Sequence, residues 1–204
     1  MWLFNLLKIK SNSNQVRKFL IVGLGNIGEE YLETRHNIGF TILDYLIKKQ
    51  GLTFDEVKYA LRASFKFKGK EFICIKPTTY MNLSGKAVNY WMRKEKINLE
   101  NVLIITDDLN IPFSQLRLRA KGSSGGHNGL KNIEENLKTL NYSRLRFGIG
   151  REKKSSQIDF VLGKWEKEEK TTLENFVVKC SEIILSFGTD GIQNTMNKYN
   201  TKIS

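Results

Sequence analysis

Only two histidines occur in 204 residues, and their settings match. His36 lies in "TRHNIGF" and His127 in "GGHNGL"; each is followed by asparagine, with glycine close behind. Imidazole is the side chain that titrates near neutral pH without help, so these positions are the first candidates for proton transfer. "ITDDLN" places Asp107 and Asp108 at the end of an apolar run, a source for the carboxylate that holds an imidazole in one tautomer. Four asparagines complete the set: Asn26 in "GLGNIG", Asn37 beside His36, Asn82 in "TTYMNLSG" and Asn128 beside His127. A carboxamide does not titrate, but it orients a carbonyl and steadies a developing oxyanion. One His, one Asp and several Asn converging would make a hydrolytic site that uses water and no covalent nucleophile.

Other chemistries fit less well. "GSSGG" at 122–126 has the G-x-S-x-G spacing, but it belongs to a flexible glycine loop leading into a helix start and not to a sharp strand-to-helix elbow, so Ser124 does not read as a nucleophile. The histidines are far apart in sequence, and no His/Cys/carboxylate cluster has zinc-like spacing, so no metal is expected. "GLGNIG" does match the G-x-G-x-x-G of dinucleotide-binding loops. The acidic residue at the expected distance, Asp44, falls inside a helical pattern and not at a strand end, which argues against a nucleotide. Spacing alone leaves a plain structural role open for two residues: His36 as a helix-start hydrogen bonder and Asp107 as a cap.

The elements that must position these residues read as alternating strands and helices. "FLIVGL" is a buried strand; "RASFKFKGKEFICIKP" is a hairpin turning at Lys68-Gly69; "NVLIITDDL" is a buried strand. "QLRLRAKG" and "SRLRFGIG" alternate, which puts Arg117 with Arg119, and Arg144 with Arg146, on shared strand faces. Helical spacing is seen in "HNIGFTILDYLIKKQG", capped at Gly51, in "LSGKAVNYWMRK", in "HNGLKNIEENLKTL", and most cleanly at 173, 176, 177, 180, 183, 184 and 187. The expected fold is a single α/β domain, a twisted mixed β-sheet enclosed by helices; the hairpin supplies the antiparallel pair.

A surplus of 33 Lys+Arg over 21 Asp+Glu gives a net charge of +12, which favours a polyanionic partner. The basic residues cluster near one motif. Arg117, Arg119 and Lys121 precede the glycine loop that carries His127; Arg144, Arg146 and Arg151 follow its helix. Backbone N–H groups at that helix start would also favour an anion. Cys74 and Cys180 sit in apolar periodic segments and read as core thiols of a reducing compartment, the cytoplasm. No stretch reaches the roughly 18 apolar residues of a membrane span. Residues 1–16 are expected to be a flexible N-terminal extension. Lys8 interrupts its apolar part, against a secretory signal; its lack of acidic residues leaves an organelle leader as the alternative. "REKKSSQ" at 151–157 has the composition of a hinge.

Taken together, "FLIVGLGNIGEEYLETRHNIGF", "KPTTYMNLSGKAV", "DDLNIPFSQLRLRAKGSSGGHNGLKNI", "RLRFGIGR" and "FVLGKW" resemble the bacterial-type peptidyl-tRNA hydrolase family, in that family's order and from about residue 19 to about residue 199. The resemblance implies a monomeric domain over 17–204 that cleaves the ester between peptide and tRNA, recycling tRNA from aborted translation without metal or cofactor. It implies His36 as the base that activates water, Asp107 as its partner, Asn82 at the substrate and oxyanion, and Asn26 at the first peptide bond. Tyr31, Tyr80, Met81, His127 and Asn128 would also meet the substrate, and Arg119 and Arg146 would clamp a tRNA phosphate. Two departures stand out: Ile27 replaces the family's usual proline, and Arg119 stands where lysine is common. The competing reading from another class is a non-catalytic RNA-binding relative serving as a splicing or assembly scaffold. Retention of His36 and Asp107 weighs against it.

Overall fold

A computed structural model describes residues 16–151 and 156–200. Residues 1–15 of the expected extension, and most of the expected hinge, lie outside the described residues. Seven strands form one sheet: β1 (Lys18–Gly23), β2 (Asp55–Val57), β3 (Ala60–Phe67), β4 (Lys70–Pro77), β5 (Val102–Asp108), β6 (Leu116–Arg119) and β7 (Ser143–Gly148). Their order is β2-β3-β4-β1-β5-β7-β6. The central pairs β4-β1, β1-β5 and β5-β7 are parallel, while β2-β3, β3-β4 and β6-β7 are antiparallel. The sheet is therefore mixed, as the hairpin required. All seven residues of β5 are buried, as expected of a central parallel strand covered on both faces.

Helices cover both faces. On one, α1 (Ile38–Lys49) and α5 (Lys167–Tyr199) pack over a core containing Phe19, Phe72, Leu103 and Phe147. On the other, α2 (Ser84–Glu95) and α3 (Asn128–Leu137) cover Leu20, Val22, Ile73 and Ile104. A short α4 (Gln157–Leu162) lies near the chain's 3-10 turn at Arg35–Asn37. Of the seven α5 positions with helical spacing, six are buried and Phe176 is half-buried against the core. Gly191, at φ 80°, breaks that helix near its end. Cys74 and Cys180 are free, buried thiols, and burial pushes both pKa values up. No helix among the described residues is long and apolar enough to cross a membrane.

One expectation fails here. Arg144 and Arg146 do share a face of β7, but Arg144 is fully buried. Its guanidinium lies 4.0 Å from the Tyr142 ring centroid, donates to Ser123 O (3.0 Å) and Leu140 O (3.2 Å), and approaches Glu134 at 3.6 Å. Alternation puts the two arginines on one face; α3 and the glycine loop then close over the first of them. Arg144 is a structural cation and not a phosphate contact.

Candidate active site

The strand ends bring the motifs together. Gly23, the last residue of β1, faces Gly39 in the first turn of α1. A Cβ on Gly23 would lie 2.3 Å from Gly39 O, and one on Gly39 2.5 Å from Leu24 N. Only this pair of glycines lets α1 begin directly against the strand, which sets the preceding turn, and His36 on it, beside the end of β5. The turn is clamped from outside. Arg35 donates its backbone N–H to Gly163 O (3.0 Å), and its guanidinium stacks on Phe160 and Trp165 and pairs with Glu169 at 2.8 Å.

Asp107, the penultimate residue of β5, receives both histidines on one oxygen. His36 Nδ1 lies 2.9 Å from Asp107 Oδ1 and His127 Nε2 lies 3.0 Å from it, with the two rings 4.9 Å apart. His127 uses its other nitrogen too: Nδ1 accepts from the backbone N–H groups of Gly129 (3.1 Å) and Leu130 (3.3 Å), capping α3. That fixes the tautomers. His127 Nδ1 is an acceptor, so its Nε2 carries the proton and donates to Asp107; His36 donates through Nδ1–H, leaving Nε2 with a free lone pair. The expected anion site at the α3 start is thereby partly filled, because two of its N–H groups already serve His127.

Electrostatics follow from this geometry. Burial resists charge on His36, but the charge of Asp107 and its hydrogen bond outweigh it and hold the imidazole above its ordinary pKa of 6.5. Burial likewise opposes the Asp107 charge, and the two histidines overcome it, keeping the carboxyl well below its ordinary 3.8. The three side chains are also a group of potential metal ligands, their ligand atoms all within 4.8 Å of one another. Sequence spacing gave no hint of this cluster, since the fold assembles it. A cation placed there would displace both hydrogen bonds to Asp107.

His36, Asp107 and His127 line a cleft of about 130 Å³ with Asn128, Arg146 and Arg151. Arg146 is ion-paired with Asp108, and Arg151 donates to Asn110 Oδ1. Asn26 lines a neighbouring recess with Asn37 and Phe40. Its loop is held rigidly: Asn26 N–H donates to Asn37 Oδ1 (2.8 Å), Asn37 Nδ2 donates to Asn26 O (2.9 Å), and Met81 N–H donates to Asn26 Oδ1 (2.9 Å). Asn37 thus braces the loop that carries Ile27. Met81 does not line the cleft. It is buried in the core, where a Cβ at Gly129 would meet its sulfur at 2.6 Å. Tyr80 is 63 % exposed, Asn82 is exposed on the turn beside α3, Tyr31 is half-exposed, and Arg119 is exposed on β6. Asn37, one of the candidate carboxamides, acts as a brace for Asn26, and Arg35 is the positioning residue that spacing did not single out.

The comparisons agree with this assembly. The family model for peptidyl-tRNA hydrolase matches residues 20–204. The peptidyl-tRNA hydrolases of Cytophaga hutchinsonii and Phocaeicola vulgatus are 54% and 56% identical over 186 residues, covering 91% of this chain and 99% and 100% of theirs. The crystal structure of peptidyl-tRNA hydrolase from Acinetobacter baumannii superposes with a TM-score of 0.83 at 32% identity, covering 90% of this chain and 94% of that one. A scaffold role finds no support among these relatives. With a matching fold, a joined His-Asp pair and relatives of this similarity along nearly the whole chain, the protein belongs to the peptidyl-tRNA hydrolase family.

Proposed function

We propose that the cleft cleaves the peptidyl-tRNA ester by His36-assisted attack of water. His36 Nε2 takes a proton from water as the oxygen adds to the ester carbonyl. The tetrahedral intermediate then collapses, expelling the ribose oxygen of the terminal nucleotide, which takes the proton back from the imidazolium. Asp107 keeps Nδ1–H in place and stabilises the transient cation. Asn82 and Asn128 carry amides free to meet the carbonyl and the developing oxyanion, and Asn26 offers its remaining amide group to the first peptide bond. An ester needs no stronger device than an oriented water, a base near neutral pKa and an oxyanion partner. Tyr31 and Tyr80 contact the tRNA-linked end, Met81 supports Asn26 from beneath, and His127 shapes the cleft wall. Arg119 and Arg146 take a phosphate, Arg146 by exchanging its Asp108 pairing. The reading assigns catalysis to a monomer of residues 17–204 acting in the cytoplasm, where peptidyl-tRNA forms and thiols stay reduced.

The observation that carries this is the single free ring nitrogen of His36, its partner nitrogen bonded to Asp107. The test compares N-acetyl-aminoacyl-tRNA with the same aminoacyl-tRNA bearing a free amine. Hydrolysis of the blocked ester should be faster by on the order of 10² or more, because a free ammonium gives Asn26 no amide to bind. Equal rates would remove Asn26 from substrate selection.

A further inference from the structure

The exposed face of α2 carries an unexplained pattern. Lys86, Asn89, Tyr90, Arg93 and Lys94 recur at helical spacing along one stripe. They line a broad groove with Tyr59, from the turn between β2 and β3, and Asn136 of α3. Among the described residues no carboxylate lines that groove. Lys58 adds a fourth cation at the same turn, 5.3 Å from the Tyr59 ring and 5.2 Å from the Tyr90 ring. Elsewhere the fold pairs its inward cations: Lys18 with Glu95, Arg35 with Glu169, Arg144 with Glu134. Here Lys58, Lys86, Arg93 and Lys94 have no acidic partner within ion-pair distance among the described residues. The lysine ammonium groups lie against aromatic faces instead, Lys86 Nζ 4.6 Å from the Tyr59 ring centroid and Lys94 Nζ 4.6 Å from that of Trp91, which positions each charge without neutralising it.

We propose that this face is a second RNA-contacting surface, one that grips the phosphodiester backbone of the substrate tRNA away from the ester. The inference rests on the hydrolase reading above. Unpaired cations match phosphates, the carboxamide of Asn89 can donate to and accept from a ribose 2′-hydroxyl, and Asn136, whose Nδ2 donates to Asn132 (2.9 Å), can accept through its oxygen. The stripe from Lys86 to Lys94 runs about 12 Å at 1.5 Å per residue, enough to face about three steps of a duplex arm. Its position fits one bound molecule: α2 starts at Ser84, two residues after Asn82, and leads away from the cleft. Arg119 lies on β6, the sheet edge remote from the strands under α2, so the two basic regions flank the site. A tRNA with its ester in the cleft would be held on both sides.

The test uses a Lys86→Gln, Arg93→Gln, Lys94→Gln triple variant and two substrates: N-acetyl-aminoacyl-tRNA, and an N-acetyl-aminoacyl ester of a CCA trinucleotide that lacks the tRNA body. KM for the full tRNA should rise about tenfold, and the slope of log(kcat/KM) against log[salt] should lose up to about three units, one per lost phosphate contact. Turnover of the trinucleotide ester should stay as in the parent enzyme, which also reports an intact fold. An unchanged KM and salt slope with full tRNA would overturn the proposal and give the face to another partner. A parallel loss on both substrates would overturn it as well, by showing an effect on the cleft and not on the tRNA body. Failure of the parent enzyme on both esters would instead sink the hydrolase reading.

Discussion

The two histidines share a local sequence, a neighbouring asparagine and one carboxylate oxygen, yet the fold uses them in opposite ways. His36 spends Nδ1 on Asp107 and keeps Nε2 free toward the cleft. His127 spends Nε2 on the same oxygen and Nδ1 on two N–H groups of α3, so neither nitrogen is left to exchange a proton. The glycines behind them serve one purpose in both places. Gly39 lets α1 meet β1, and Gly129 lets α3 settle on Met81. A residue type and its sequence neighbours therefore do not define a catalytic group; the count of unspent lone pairs does.

That contrast can be broken most directly by truncating each ring. His36→Ala should slow release from N-acetyl-aminoacyl-tRNA by roughly 10²–10⁴, the scale of a lost general base. His127→Asn, which keeps a capping side chain, should cost only about tenfold, the share of one charge-assisted hydrogen bond on Asp107. Equal losses in single-turnover assays would erase the distinction drawn above.

Asp107→Asn sharpens it further. The rate should fall by about 10² or more as the tautomer is lost. The parent enzyme needs neutral His36, so its rate climbs with pH through a value raised above 6.5. Without the carboxylate, burial alone acts on the ring, and the acid limb of the pH profile should move to lower pH. A limb that stays fixed would detach His36 from the profile.

The smallest effects are on stability. His127→Ala should cost about 1 kcal/mol through the lost α3 cap, readable by urea denaturation, whereas His127→Asn should cost little. The His36–Asp107 pair adds a pH signature. The raised His36 contributes stability that is full below 6.5 and lost as pH rises through its folded value. The depressed Asp107 contributes stability that is present above 3.8 and lost as pH falls through its folded value. The gap in stability between parent and His36→Gln should be widest between those two ordinary values and narrow on the alkaline side.

Legibility followed the range of the physics involved. The α5 stripe, the Lys68-Gly69 hairpin and the exclusion of Asp44 from a nucleotide site are all local patterns; Asp44 does lie in α1, paired with Lys76. The three-residue β2, "DEV", has no alternation to read, and the six-residue α4 is too short for a helical stripe. Arg144 and Arg146 show the limit within one strand: alternation puts both on one face, but which of them is covered depends on α3.

From the sequence alone came the polyanion preference, the α/β class, and the residue types a water-based ester hydrolysis needs, because charge, periodicity and side-chain chemistry are carried by the chain itself. The tertiary structure alone decided that both imidazoles meet one carboxylate, that one ring is left with a free nitrogen, that Asn37 braces Asn26, and that three cations of α2 gather with Lys58 on one face. Those are distances between segments far apart in the chain, and they are fixed by which faces pack and by two glycines that permit a closer approach than any side chain would.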